Sequence, residues 1–167
     1  MKIKTLLSLV SLAILPVMAK GEPLAVGAAA PDVTATDQDG KTVHLKEIYA
    51  KGPTLVYFYP KADTPGCTKQ ACSIRDDWSA LQAKGIQVVG VSGDTATDQK
   101  AFVDKYKLPF TLIADADFKV ADAFGSPHRA RNSFLIKDGK VVWTMLKAST
   151  ATHAQDVLKA YDALAQK

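Results

Sequence analysis

The two cysteines of this sequence, Cys67 and Cys72, lie five residues apart in a short segment rich in turn and hydroxyl residues. It reads Pro60-Lys61-Ala62-Asp63-Thr64-Pro65-Gly66-Cys67-Thr68-Lys69-Gln70-Ala71-Cys72-Ser73-Ile74-Arg75-Asp76. A cysteine is a nucleophile as its thiolate, and an unperturbed thiol of pKa ~8.5 is only a few per cent ionised at neutral pH. Bringing a thiol to ~6 takes ~3.4 kcal/mol of differential stabilisation. A helix N-terminus supplies up to ~2 kcal/mol. Helical periodicity beginning near Thr68 puts Cys67 in the first turn or just before it, where backbone N–H groups lack intrahelical partners. Hydroxyl donors and a cation must supply the remainder, with Thr64 and an arginine as candidates.

Cys72 follows one turn and one residue later. On a regular helix, positions i and i+5 differ by ~140° around the axis and ~7.5 Å along it, which separates their Cα atoms by ~8.7 Å. A disulfide needs Cα atoms within ~6.8 Å. Bonding the two cysteines therefore requires local unwinding. Such a couple suits catalysis or sensing better than a static staple.

Strands and helices alternate around this segment. Asp32–Thr36 and Lys41–Leu45 flank Asp39-Gly40, a hairpin signal. The apolar run Thr54–Tyr59 reads as a buried strand that Pro60 ends. Helical spacing of Ile74, Trp78 and Leu81 predicts a helix from about Thr68 to Lys84, stopped by Gly85. Ile86–Val91 is a strand, Thr97–Tyr106 a helix, Phe110–Ala114 a strand and Phe118–Phe124 a short helix. Arg131–Ile136 and Lys140–Leu146 flank Asp138-Gly139, a second hairpin. Thr152-His153-Ala154-Gln155 fits a capping box opening a last helix to about Ala165. The order predicts an α/β fold: a central mixed sheet with helices on both faces, parallel strands in the middle and hairpins at the edges. Such sheets place reactive groups at the C-terminal ends of central strands, where the cysteine segment falls.

The 167 residues are one domain's worth, and 47% hydrophobic against 23% charged is enough to build a core. Two cysteines cannot make a dense disulfide scaffold or a four-thiolate metal site. The net charge of +4 is spread along the chain and forms no nucleic-acid stripe. No run reaches the ~18 apolar residues of a membrane span. Residues 1–19, MKIKTLLSLVSLAILPVMA, read as a secretory signal peptide: Lys2 and Lys4, an apolar run from Leu6 to Leu15, then Pro16 and a cleavage site after Ala19. Residues 20–167 then form the single mature domain, expected in a periplasmic or secreted compartment that keeps thiols under oxidising pressure.

The motif Pro60-x-x-x-Thr64-x-x-Cys67 resembles the active-site motif of peroxiredoxins, and Cys67-x-x-x-x-Cys72 within it resembles the peroxiredoxin Q, or bacterioferritin comigratory protein, group. The resemblance runs from Gly27-x-x-Ala30-Pro31-Asp32 through Arg131-Asn132-Ser133-Phe134-Leu135-Ile136. It implies a thioredoxin-like fold and a thiol-dependent peroxidase. Cys67 corresponds to the peroxidatic cysteine and Cys72 to the resolving one. Thr64 would hydrogen-bond the thiolate and a peroxide oxygen. Arg131 would polarise the thiolate and stabilise charge on the leaving oxygen; it stands two residues before Ser133, as Arg129 does not. Pro60, Pro65 and Gly66 would shape the pocket. The resemblance further implies hydrogen peroxide and organic hydroperoxides as substrates, a thioredoxin-like reductant and a monomer; no cofactor or metal is expected, and the charge and hydropathy patterns point to no nucleic-acid or membrane partner.

The remaining polar residues have plainer readings. Arg75 and Asp76 support the helix, His44, His128 and His153 are surface or packing residues, and Tyr57 and Tyr59 pack the sheet with one ring available to line the pocket. Two other functions use the same residues differently. A thiol–disulfide oxidoreductase would normally carry Cys-x-x-Cys. A copper-binding thioredoxin-fold protein would need a closer cysteine pair with a converging histidine, since soft thiolates select Cu(I).

Overall fold

The computed structural model describes residues 21–166. Residues 1–19, read above as a signal peptide, lie outside the described residues. Thirteen elements follow in order: β1 Thr34–Asp37, β2 Thr42–His44, α1 Leu45–Tyr49, β3 Thr54–Phe58, α2 Pro65–Asp76, α3 Trp78–Ala83, β4 Gln87–Ser92, α4 Ala96–Tyr106, β5 Thr111–Ala114, α5 Lys119–Ala123, β6 Ser133–Lys137, β7 Lys140–Met145 and α6 His153–Ala165. The strands form one seven-stranded sheet in the order β2-β1-β5-β4-β3-β6-β7.

Strands β3, β4 and β5 are parallel and are joined through helices. The hairpin β1–β2 attaches antiparallel to β5, and the hairpin β6–β7 antiparallel to β3. All five residues of β3 are buried, because both faces of this central strand are covered. Side chains alternate along it. Leu55 and Tyr57 enter one core with Cys67, Ala71, Ile74, Leu81, Phe102 and Val157, beneath α2, α3, α4 and α6. Val56 and Phe58 enter the opposite core with Leu45, Val89, Ile113, Val120, Phe124 and Phe134, against α1 and α5.

The hairpin at Asp138-Gly139 has positive φ at both residues, 51° and 71°, as a two-residue turn matched to strand twist requires. The β1–β2 turn is held by Asp37, whose Oδ1 accepts from the backbone N–H of Asp39 and Lys41, both at 2.9 Å.

Four details differ from the sequence expectations. The strand expected to reach Leu45 stops at His44, and Leu45, Ile48 and Tyr49 turn their i, i+3, i+4 face into the core as α1. The helix expected over 68–84 is two helices broken at Asp77, which sits at φ −95° and ψ 15° and caps α3 through its carbonyl. The expected capping box at Thr152 does not form: Thr152 has φ −117° and ψ 15°, and its hydroxyl bonds the Asp156 carboxylate at 2.9 Å. A capping box does open α4, where Thr95 and Asp98 satisfy each other's backbone N–H groups. Finally, β6 begins at Ser133, which leaves Arg131 in the approach to the strand.

Candidate active site

The strand β3 delivers the chain to the site at its C-terminal end. Phe58 N–H donates to Asn132 O at 2.8 Å and Tyr59 N–H to Val91 O at 3.1 Å, so the exit of β3 is clamped between the residue that precedes β6 and strand β4. The loop that follows is tied on two sides. Ala62 N–H donates to Asp94 Oδ2 at 2.7 Å, and that carboxylate also accepts from Ser92 Oγ at 2.6 Å. Asp63 adopts a left-handed φ of 56° and anchors to α4, accepting from Lys105 Nζ at 2.7 Å and Tyr106 Oη at 2.6 Å. Those two donors hold its carboxyl below the ordinary carboxylate range.

Thr64 is the N-cap of α2 and Pro65 its first residue, where a proline's missing N–H costs nothing. Cys67 is thus the third helical residue, in the first turn, and is 1% exposed. The Thr64 hydroxyl does not cap the helix. It donates to Lys61 O at 2.9 Å, and because a carbonyl only accepts, the hydroxyl proton is committed there. Pro60 is half-buried at the exit of β3, while Pro65 is exposed.

Arg131 crosses the start of α2. A β-carbon placed on Gly66 would lie 2.8 Å from Arg131 Nη2, so the absence of a side chain at Gly66 makes room for the guanidinium one residue before Cys67. The Arg131 carbonyl accepts from Ala148 N–H at 2.8 Å, which ties its backbone to the segment after β7. Arg129 is exposed. Arg131 Nη1 donates to Gln70 Oε1 at 2.9 Å, Gln70 Nε2 meets His153 Nδ1 at 3.2 Å, and His153 Nε2 meets Ser133 Oγ at 2.8 Å. Gln70, Ser133 and His153 are all fully buried. Burial pushes the His153 pKa down to about 4.

Cys72 is partly exposed on the same uninterrupted helix, and both thiols are free. Regular geometry keeps their Cα atoms ~8.7 Å apart. Arg75 donates to Tyr106 O at 2.8 Å and pairs with Asp76 at 2.7 Å, fastening α2 to the end of α4. Neither histidine near the site converges on the thiols. Both ring nitrogens of His153 are engaged, and His128 pairs with Asp122 at 2.9 Å and stacks on Phe118. Among the described residues no group of three His, Cys, Asp or Glu side chains is placed to hold a metal ion, and no helix is long and apolar enough to cross a membrane.

An apolar cleft of about 530 Å³ adjoins Arg131, lined by Pro23, Pro127, Ala130, Leu146 and Ala148. A larger one of about 620 Å³, between Pro31, Lys46 and Asp138, lies at the opposite end of β3 and holds none of the candidate residues. Sequence reasoning missed Gln70 altogether and gave His153 only a surface or packing role. The one local signal for Gln70 is its i+3 position from Cys67, which puts both on one helix face. Nothing local links His153 and Ser133 to it.

The AhpC/TSA family pattern matches residues 26–144. Peroxiredoxin Q of Triticum aestivum, named as chloroplastic, is 50% identical over 101 residues, covering 60% of this chain and 46% of that protein. The Gentiana triflora peroxiredoxin Q is 44% identical over 122 residues, 69% of this chain and 56% of its own. The chain thus spans about half the length of the curated relatives it matches. The crystal structure of Mycobacterium tuberculosis peroxidoxin BcpB superposes with a TM-score of 0.78 at 31% identity, over 83% of this chain and 97% of that one. A cysteine-to-serine mutant of Xanthomonas campestris peroxiredoxin Q gives 0.77 at 28% identity, over 87% and 99%. The fold is the mixed α/β thioredoxin-like fold of the peroxiredoxins. The chain belongs to the AhpC/TSA family, and within it is similar to peroxiredoxin Q proteins.

Proposed function

We propose that this chain is a thiol-dependent peroxidase with Cys67 as nucleophile and Cys72 as resolving thiol. The Cys67 thiolate attacks the terminal oxygen of a hydroperoxide. An S–O bond forms, the O–O bond breaks, and the departing oxygen leaves as an alcohol, or as water from hydrogen peroxide, after taking a proton. Arg131 stabilises the charge on that oxygen as it departs. Thr64 takes part by turning its hydroxyl from Lys61 O toward the peroxide. Cys67 is left as a sulfenic acid. Cys72 then attacks its sulfur, forming the disulfide and releasing water. An external dithiol of thioredoxin type reduces the disulfide and is itself oxidised.

The observation that carries the reading is the placement of Cys67 in the first turn of α2, one residue from the contact between Gly66 and Arg131, with a free Cys72 on the same helix. Pro60, Pro65 and Gly66 shape the approach. The apolar cleft beside Arg131 offers room for the alkyl group of an organic hydroperoxide, and Leu146, 49% exposed, lies on its wall. We further infer from residues 1–19 that the protein is exported to a periplasmic or secreted setting, with its reductant there, and from the resemblance to the peroxiredoxin Q group that it works as a monomer.

Single-turnover peroxide consumption by the reduced protein tests the assignment. Cys67→Ser should abolish it, because a serine hydroxyl is not ionised at neutral pH. Cys72→Ser should still react once per Cys67, after which the sulfenic acid persists or over-oxidises. Equal rates for wild type and Cys67→Ser would remove Cys67 as nucleophile. A Cu(I) titration and a disulfide-exchange assay on the same samples would reveal the two rival activities.

A further inference from the structure

The four polar side chains behind α2 form one directed chain. A guanidinium can only donate, so the Gln70 amide oxygen must face Arg131 Nη1, 2.9 Å away. The amide nitrogen therefore faces His153 Nδ1 at 3.2 Å and donates to it. A nitrogen that accepts carries no proton, so the neutral ring is the Nε2–H tautomer, and it donates to Ser133 Oγ at 2.8 Å. Burial keeps the ring neutral at pH 7. The imidazole and the Tyr57 ring meet edge to face, with centroids 5.5 Å apart and planes at 79°, which fixes the plane of the imidazole. Gln70 and His153 thus each have only one orientation that satisfies both neighbours, and every member except Arg131 is fully buried.

We propose that His153 is a positioning residue for Arg131: acting through Gln70, it holds the guanidinium over Gly66 at the start of α2. A protonated ring, or the other tautomer, would present N–H to the amide N–H of Gln70. The amide would then have to turn its nitrogen toward Arg131, donor against donor, and the guanidinium would lose its partner. Gln70 lies between Cys67 and Cys72, so the hold exists only while that stretch of α2 is helical. Closing the disulfide would release Arg131 together with Gln70. The proposal rests on Arg131 acting as described under the proposed function.

Two measurements test it. The first is NMR of the imidazole nitrogens in protein labelled at histidine, which needs no turnover. Wild type should show His153 as the Nε2–H tautomer, and Arg131→Ala should shift the Nδ1 resonance because Gln70 is no longer oriented. An Nδ1–H ring in wild type, or no shift in Arg131→Ala, would overturn the proposal. The second is the rate of Cys67 oxidation in a single turnover. His153→Leu should slow it about tenfold, the scale of one lost charge-assisted hydrogen bond. His153→Asn, whose Oδ1 can accept from Gln70 in place of Nδ1, should recover most of the rate. Equal rates in His153→Leu and wild type would overturn the proposal, as would equal slowing by Leu and Asn, which is the mark of packing alone. Cys67-independent turnover would sink the peroxidase assignment and leave the NMR result standing.

Discussion

Gly66 and Arg131 meet so closely that a β-carbon on Gly66 would lie 2.8 Å from Arg131 Nη2. The atom it meets is the far end of a flexible side chain, so the guanidinium can move aside at little cost to the fold. Gly66→Ala should therefore leave thermal stability unchanged or slightly higher, because alanine is the better helix former. It should still slow peroxide attack about tenfold, because a charge displaced by a fraction of an ångström no longer meets the departing oxygen. Melting curves beside single-turnover rates check this. A loss of stability with an unchanged rate would mean that the contact is only packing.

Removing the guanidinium should cost more than moving it. Arg131→Ala is expected to slow attack by about a hundredfold, in the range seen when one preorganised donor is removed from a developing anion. Arg129→Ala should change the rate little, since Arg129 is exposed. Paired rate measurements at saturating reductant decide it, and a larger effect at Arg129 would reassign the cation.

The parts of the fold that local chemistry determines were legible in the sequence. The Thr54–Tyr59 run was readable as a buried strand because nearly every residue is β-branched or aromatic, and Asp138-Gly139 because few other pairs tolerate positive φ twice. Where the backbone decides, the reading failed. Thr152-His-Ala-Gln155 fits a capping box in sequence, but Thr152 has φ −117° and ψ 15°, whereas Thr95, where a box does form with Asp98, has the extended backbone, φ −71° and ψ 162°, that the box requires. The five residues of α1 were too few to show a period beside the strand preceding them. In the candidate site, Cys67 and Cys72 were visible by spacing, and Thr64 and Arg131 by resemblance. Gln70, Ser133 and His153 were not, since they come from α2, β6 and α6 and meet only once the sheet is assembled.

His153 should also shape acid stability. Burial lowers its pKa from 6.5 to about 4, and the nearby Asp156 carboxylate opposes this. The unfolded chain takes up a proton on this residue as the pH falls below 6.5, whereas the folded chain resists until about 4. The stability held in the neutral ring is thus complete above pH 6.5 and is lost as the pH falls toward 4, up to about 3 kcal/mol. Urea unfolding of wild type and His153→Asn between those limits should give curves that converge on acidification. Parallel curves would mean that the buried ring is not resisting protonation.

The proposed export makes a prediction about the start of the chain. The basic residues Lys2 and Lys4, the apolar run and the small residue at Ala19 should direct cleavage so that the mature protein begins at Lys20. N-terminal sequencing of exported material reads this directly, and an intact Met1 there would remove the claim about compartment.

The disulfide form should differ from the reduced form in one defined stretch. In the reduced protein α2 runs unbroken from Pro65 to Asp76 with both thiols free. Regular helix keeps their Cα atoms ~8.7 Å apart, beyond the ~6.8 Å that a disulfide spans, so oxidation must unwind the turns between them. Several backbone hydrogen bonds of ~0.5–1.5 kcal/mol each are then lost, and Gln70 leaves its partners Arg131 and His153. The resulting bond should be more easily reduced than an unstrained structural disulfide, which a couple that must turn over requires. Hydrogen exchange on the two redox states should show amides from Thr68 to about Arg75 losing protection on oxidation. Those of Val88–Val91 should keep it, because β4 is paired on both sides by β3 and β5. Unchanged protection across 68–75, with the disulfide confirmed by mass, would mean that the two sulfurs can meet without unwinding and that the helix geometry does not gate resolution.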